Sequence, residues 1–167
     1  HLPDSVFVED TAIILSELAV ITRPGAETRR PEVDSIRHAL ANYMPTKDIS
    51  DSAILDGGDV LVAGKHIFVG ISNRSDIKGA AELAALAKPL GYSLETIKVK
   101  ACLHLKSAVT RAGDNTLLYN PEWVSADAFQ GFNMIPVHPD EPSAGNCLDL
   151  DGALLHGEAF PKTRAVL

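Results

Sequence analysis

The order of apolar and polar positions along the chain repeats a short set of elements. The stretch "VFVEDTAIILSELAVITRPG" is apolar and β-branched, which predicts strand, turn and strand, with Ser16 and Glu17 at the turn and Pro24-Gly25 as the stop. Next, "RPEVDSIRHALANYM" brings Val33, Ile36, Leu40 and Tyr43 onto one helical face by steps of three and four, with Pro31 at the first helical position. The order then recurs. "GGDVLVAGKHIFVGIS" predicts a hairpin turning near Gly64-Lys65, "SDIKGAAELAALAKPLGY" a helix started by Ser75 or Asp76 and ended around Pro89-Gly91, and "SLETIKV" a strand. In the third pass, "CLHLKSAVTRAGDNTLLYN" gives two strands around Gly113-Asp114-Asn115, then a short helix in "NPEWVSADAF" and a strand "FNMIPV". A fourth begins at "GNCLDLDGALLHG", a hairpin turning at Asp151-Gly152. Hairpins about 40 to 50 residues apart have the spacing of propeller blades or repeat arrays. A unit of this size cannot bury its own apolar face, so neighbours complete the core. Around an axis, such units point equivalent strand ends at the centre, and chemistry is expected there.

Composition narrows the partners. The 167 residues are long enough for one domain with a core, and 46% hydrophobic with 22% charged is ordinary globular composition. A net charge of -7 without a block of lysines or arginines argues against nucleic acid or an anionic membrane surface and favours a cationic small molecule. Two cysteines, Cys102 and Cys147, make neither a disulfide framework nor a zinc pattern, and with no spanning stretch or leader pattern the expected location is the cytoplasm. The chain opens on His1 and closes on "FPKTRAVL", where Pro161 starts a helix that does not finish, so a fragment of a longer protein is expected.

Polar residues fall at matching places in the units. "LPDSVFVED" carries Asp4, Glu9 and Asp10, "LDGGDVL" carries Asp56 and Asp59 around Gly57-Gly58, and "LHLKS" carries His104 and Lys106. Each of these is compatible with a solvent-facing strand residue. Converging on one pocket, however, the acids would repel one another unless a cation joined them, and carboxylates set as forked acceptors suit a planar guanidinium or amidinium. The glycine pair permits a sharp turn or a close approach of backbone. In a strand, His104 would face with Cys102 and Lys106, either as a satisfied structural residue or as a general acid and base. Arg29 and Arg74 stand at the starts of the first two helices, as surface residues or as one end of a zwitterionic site whose acids form the other. That arrangement describes an amino acid of the arginine type. "GDVLVAGKH" is not a phosphate loop, having five residues between Gly58 and Gly64 where four are required and His66 in place of Ser or Thr. His66, His104, His138 and His156 lack the short-range spacing of a zinc site, which leaves only one assembled from distant units.

Taken together, "LPDSVFVED", "ITRPGAETRR", "LDGGDVL", "VGISNR", "LHLKS" and "GNC" resemble the dimethylarginine dimethylaminohydrolases of the amidinotransferase and arginine deiminase superfamily, in order along essentially the whole chain. The resemblance implies an α/β fold, a five-bladed α/β propeller of ββαβ units of the pentein type. About three blades would lie in residues 1–167, read as one partial propeller domain truncated at both ends. By the same resemblance Asp4, Glu9 and Asp10 match substrate-binding acids, Arg29 and Arg74 the arginines that grip the substrate's α-carboxylate, His104 the catalytic histidine, and Asp56 the acid that supports histidine and substrate. The implied reaction is hydrolysis of methylated arginines to citrulline and methylamines through a cysteine thiouronium adduct, with no cofactor or metal. The family's nucleophile would lie beyond Leu167, Cys102 is not at its position, and Cys147 corresponds to the non-catalytic cysteine of "NC"; the chain as written is expected to be inactive. Arginine deimination, amidino transfer and a non-catalytic amino-acid-binding paralogue are the alternatives, and the resemblance admits a homodimer.

Overall fold

The computed structural model describes residues 2–150 and 152–167, and the chain divides into two compact units, His1–Thr96 and Ile97–Leu167. In the first, β1 (Ala12–Ile14) and β2 (Ala19–Ile21) are antiparallel, helix α1 (Val33–Leu40) follows, and β3 (Thr46–Asp48) returns parallel to β2. The second pass pairs β4 (Val60–Ala63) with β5 (His66–Ile71) in an antiparallel hairpin. Helix α2 (Ile77–Ala87) then leads to β6 (Ser93–Lys98), which completes that sheet in the order β4-β5-β6 and carries the chain past the end of the first unit.

These elements fall where the residue chemistry puts them. Gly64 adopts φ 61° at the hairpin turn, a conformation that glycine accepts without a Cβ penalty. Asp76 caps α2 by accepting from the Gly79 N–H at 2.7 Å, and Gly91, left-handed at φ 81°, ends the turn that follows the helix. Gly79 itself lies against Ile54, where a Cβ would stand 2.3 Å from the carbonyl oxygen. The core of the first unit joins Val20, Leu55, Val69 and Leu83.

In the second unit β7 (Val109–Arg111) pairs antiparallel with β8 (Thr116–Tyr119), and β9 (Asn133–Pro136) runs parallel to β8. Here a 3-10 turn at Ala126–Ala128 replaces the long helix of the earlier passes. A hairpin of β10 (Cys147–Leu150) and β11 (Ala153–His156) follows, then helix α4 (Pro161–Arg164). Asp151, half of the expected turn of that hairpin, lies outside the described residues. Among the described residues no helix is long and apolar enough to cross a membrane.

Three expectations change. Val8–Thr11 forms a 3-10 turn rather than a strand, with Val6, Phe7 and Val8 exposed; this stretch carries polar Glu9 and Asp10 where a half-buried strand would need sustained alternation. Pro31 lies inside a 3-10 turn, Glu27–Glu32, so α1 begins at Val33 and ends at Leu40, leaving Tyr43 outside it and 85% exposed. His104 is in no strand. It precedes the short helix α3 (Leu105–Ala108) as its N-cap, after Ala101 has turned the chain in the left-handed region at φ 56°. Alanine has no turn signature, so the alternation of "CLHLK" predicts the wrong element.

Candidate active site

In the first unit the candidate site grows out of the 3-10 turn Gly57–Asp59. Both glycines of "LDGGD" serve close backbone contact. A Cβ on Gly57 would stand 2.0 Å from the Glu9 carbonyl oxygen, and the Gly58 N–H donates to Asp10 Oδ1 at 2.8 Å. The two acids take different work. Asp56, fully buried, accepts from the Gly25 N–H at 2.8 Å, while its own N–H donates to Ser75 Oγ at 3.0 Å. Asp59, also fully buried, accepts from Ser72 Oγ at 2.7 Å, and the same oxygen accepts from the Arg74 N–H at 2.9 Å. The loop that carries Arg74 is therefore held to this turn at two points. Gly25 presses on it as well, since a Cβ there would lie 2.7 Å from the Arg74 Cα.

Arg74 keeps its side chain 31% exposed, with Nη1 3.9 Å from Asp56 Oδ2. It remains reachable for a ligand. Arg29, expected at the ligand's carboxylate, has its donors engaged inside the protein: Nη1 donates to Asp10 Oδ2, Nε and Nη2 to Glu32, and Nη2 also to the carbonyls of Asp4 and Phe7. Burial works to lower the Arg29 pKa, but the hydrogen bonds to Glu32 and Asp10 outweigh it and raise the pKa above the ordinary arginine value. The geometry thus makes Arg29 the clamp on Asp10 and on the backbone of the Asp4–Phe7 turn. Asp4 and Glu9 are exposed, whereas Asp10 is buried.

Sequence reasoning missed Glu32, Ser72 and Ser75. Glu32 had a signal, standing three positions after Arg29 at helical pairing distance. The serines of "ISNRS" had none, because their partners are far along the chain.

In the second unit, His104 is set by what fixes α3. Its carbonyl accepts from the Ser107 N–H at 3.1 Å and from Cys102 Sγ at 3.3 Å. Behind the helix, Gly145 approaches so closely that a Cβ would lie 3.1 Å from the Ala108 carbonyl oxygen. Thr110 Oγ1 donates to the Gly145 carbonyl at 2.9 Å and accepts from the Cys147 N–H at 3.0 Å. "GNC" is therefore a brace for the segment bearing His104. Burial pushes the Cys147 thiol up from its ordinary value, and the Asp149 carboxylate adds to this against the hydrogen bond between the thiol and Thr110 Oγ1. Such a thiol is a poor nucleophile. Iodoacetamide at neutral pH should modify half-buried Cys102 roughly tenfold or more faster than Cys147, as read by peptide mass spectrometry; equal rates would mean that Cys147 is accessible.

Comparison with known proteins places this geometry. Residues 1–147 match the family model described as arginine deiminase. The chain is 35% identical over 166 residues to the N(G),N(G)-dimethylarginine dimethylaminohydrolase of Pseudomonas aeruginosa, covering 98% of this chain and 65% of that protein. It is 38% identical over 168 residues to the protein of that name from Streptomyces coelicolor, covering 99% of this chain and 64% of the other. A solved structure of the Pseudomonas aeruginosa protein, a cysteine-to-serine mutant complexed with citrulline, superposes with a TM-score of 0.93 at 34% identity, covering 99% of this chain and 66% of that one. This chain thus spans about two thirds of the length of these relatives. The repeated strand-strand-helix-strand passes are those of the α/β pentein-type fold. With its acids, arginines and glycine contacts set in that fold, the chain belongs to the arginine deiminase family, in the branch of the dimethylarginine dimethylaminohydrolases.

Proposed function

We propose that the protein carrying this chain hydrolyses Nω-methylated arginines, dimethylarginine and monomethylarginine, to citrulline and methylamines. The observation that carries the reading is the 35% and 38% identity, along nearly the whole chain, to relatives named for that reaction. The local chemistry supports it. Asp4, Glu9, Asp10 and Asp56 supply acceptors suited to a guanidinium, and half-exposed Arg74 supplies the cation for the α-carboxylate. Arg29 acts through Asp10 as a positioning residue. His104 serves as the acid that protonates the departing methylamine as a thiolate sulfur bonds to the guanidinium carbon and the carbon-nitrogen bond breaks. Water then attacks the thiouronium carbon, releasing citrulline and returning the thiol. Buried Cys147, its thiol pKa raised, does not take the nucleophile's part, and neither does Cys102. The same reading takes residues 1–167 as part of one propeller domain of a cytoplasmic protein, with a homodimer as its assembly and no nucleic-acid partner.

Incubating the native protein with asymmetric dimethylarginine should yield citrulline and dimethylamine in equal amounts. Citrulline with ammonia from arginine, and none from methylated arginines, would assign deimination instead. Arg74→Ala tests the polarity of binding. It should weaken the affinity for methylated arginine by about tenfold to a hundredfold or more, the loss of a charge-assisted contact of about 1.5 to 3 kcal/mol. Agmatine-like ligands, which lack the carboxylate, should lose far less. Equal losses would assign Arg74 to the fold rather than to the ligand.

A further inference from the structure

The first unit holds a cavity of about 370 Å³ that shares no residue with the candidate site and whose wall contains three arginines, Arg23, Arg30 and Arg37, two aspartates, Asp48 and Asp51, and apolar Pro24 and Val33. The three guanidinium groups are not equally employed. All three nitrogens of Arg37 are engaged, its Nε and Nη2 donating to Asp48 Oδ1 at 2.9 and 2.6 Å and its Nη1 to Asp34 at 2.6 Å. Arg23 donates from Nε to Asp51 at 3.3 Å and from Nη1 to the Ala53 carbonyl at 3.2 Å. Arg30 donates from Nε to the Pro24 carbonyl at 3.3 Å and from Nη1 to Glu27 at 3.1 Å. Among the described residues, Nη2 of Arg23 and Nη2 of Arg30 have no acceptor, and each carries two N–H groups.

These donors sit on side chains 20% and 31% exposed, held in place by the protein yet open to a ligand arriving from solvent. Their acidic partners compensate weakly. The side chains of Asp51 and Glu27 are 105% and 82% exposed, and ion pairs to such groups are screened and easily exchanged. Guanidinium forks match the paired oxygens of phosphate and carboxylate groups, and apolar walls beside them strengthen the contact by excluding water.

We propose that this cavity is a second ligand site, binding a small oxyanion whose oxygens accept from Nη2 of Arg23 and of Arg30. The Arg37–Asp48 pair lines the same cavity beside them. Phosphate and carboxylate heads share this chemistry, so inorganic phosphate and succinate are the probes, each compared with chloride at matched ionic strength. Calorimetry and thermal unfolding of the protein should detect binding and stabilisation by at least one of them, and the preferred anion identifies the head group. Arg23→Ala and Arg30→Gln should each weaken that binding roughly tenfold or more. Each arginine holds one backbone carbonyl, Arg23 that of Ala53 and Arg30 that of Pro24; Arg30→Gln keeps an amide donor on a long side chain and loses only exposed Glu27 as ion-pair partner, so it is the milder variant, and its circular dichroism should match the native protein. Arg74→Ala should leave the anion effect unchanged. No effect of either anion beyond chloride overturns the proposal, as does an effect abolished by Arg74→Ala and retained in Arg30→Gln.

Discussion

Arg29→Ala should destabilise the first unit by about 3 to 5 kcal/mol, the cost of breaking a buried ion pair from one side. The magnitude follows from what would be left behind. Asp10 and Glu32, 6% and 3% exposed, would face one another without the guanidinium that separates them, and the Asp4 and Phe7 carbonyls would lose a donor. Arg29→Lys keeps the charge but cannot span both acids and two carbonyls from one planar fork, so an intermediate loss is expected. Urea denaturation followed by circular dichroism measures both. A cost below about 1 kcal/mol for the alanine variant, the range of exposed ion pairs, would show that this network does not hold the unit together.

Gly57→Ala should be nearly as severe, at about 3 kcal/mol, for a steric reason alone. The new Cβ would fall 2.0 Å from the Glu9 carbonyl oxygen and 3.2 Å from that of Ala12, and both obstacles are backbone. No side chain can swing away. Gly64→Ala supplies the contrast, since nothing lies within 4 Å of its Cβ and only the left-handed φ of 61° resists, a cost of about 1 to 2 kcal/mol. Comparing the two by thermal unfolding separates collision from backbone strain. If Gly57→Ala costs no more than Gly64→Ala, the turn 57–59 is not pressed against residues 9–12 as described.

Local chemistry made much of the fold legible. Gly64 and Gly91 marked their turns, Asp76 its helix start, and the β4–β5 hairpin and α2 followed from pattern alone. Elements whose cause is distant were not legible. The 3-10 turn at Val8–Thr11 is fixed by Gly57, Gly58 and Arg29, none of which a window around Glu9 and Asp10 contains. The "LDGGD" motif announced a close approach but not its partner, and Arg29 looked like a ligand arginine because its spacing from Arg74 cannot reveal that Glu32 and Asp10 already engage it. His104 was misplaced for the same kind of reason. Its segment is shaped by Gly145 packing on α3, some forty positions downstream, and by a left-handed alanine that no propensity foretells.

The bond from the Gly58 N–H to Asp10 joins positions 48 apart, and this sets an order of events during synthesis. At about 5 to 20 residues per second, a ribosome takes roughly 2 to 10 s to go from one to the other. In the second half of that interval the chain has Asp10, Arg29 and Glu32 but no glycine turn to seat them against. The first unit consolidates only when residues 57 and 58 clear the exit tunnel. Codon-level slowing before that point prolongs the exposure of Ile13, Leu15 and Val20, which the folded unit buries, to chaperones, whereas slowing just after it gives the glycine turn time to seat on residues 9–12 before β4 and β5 arrive.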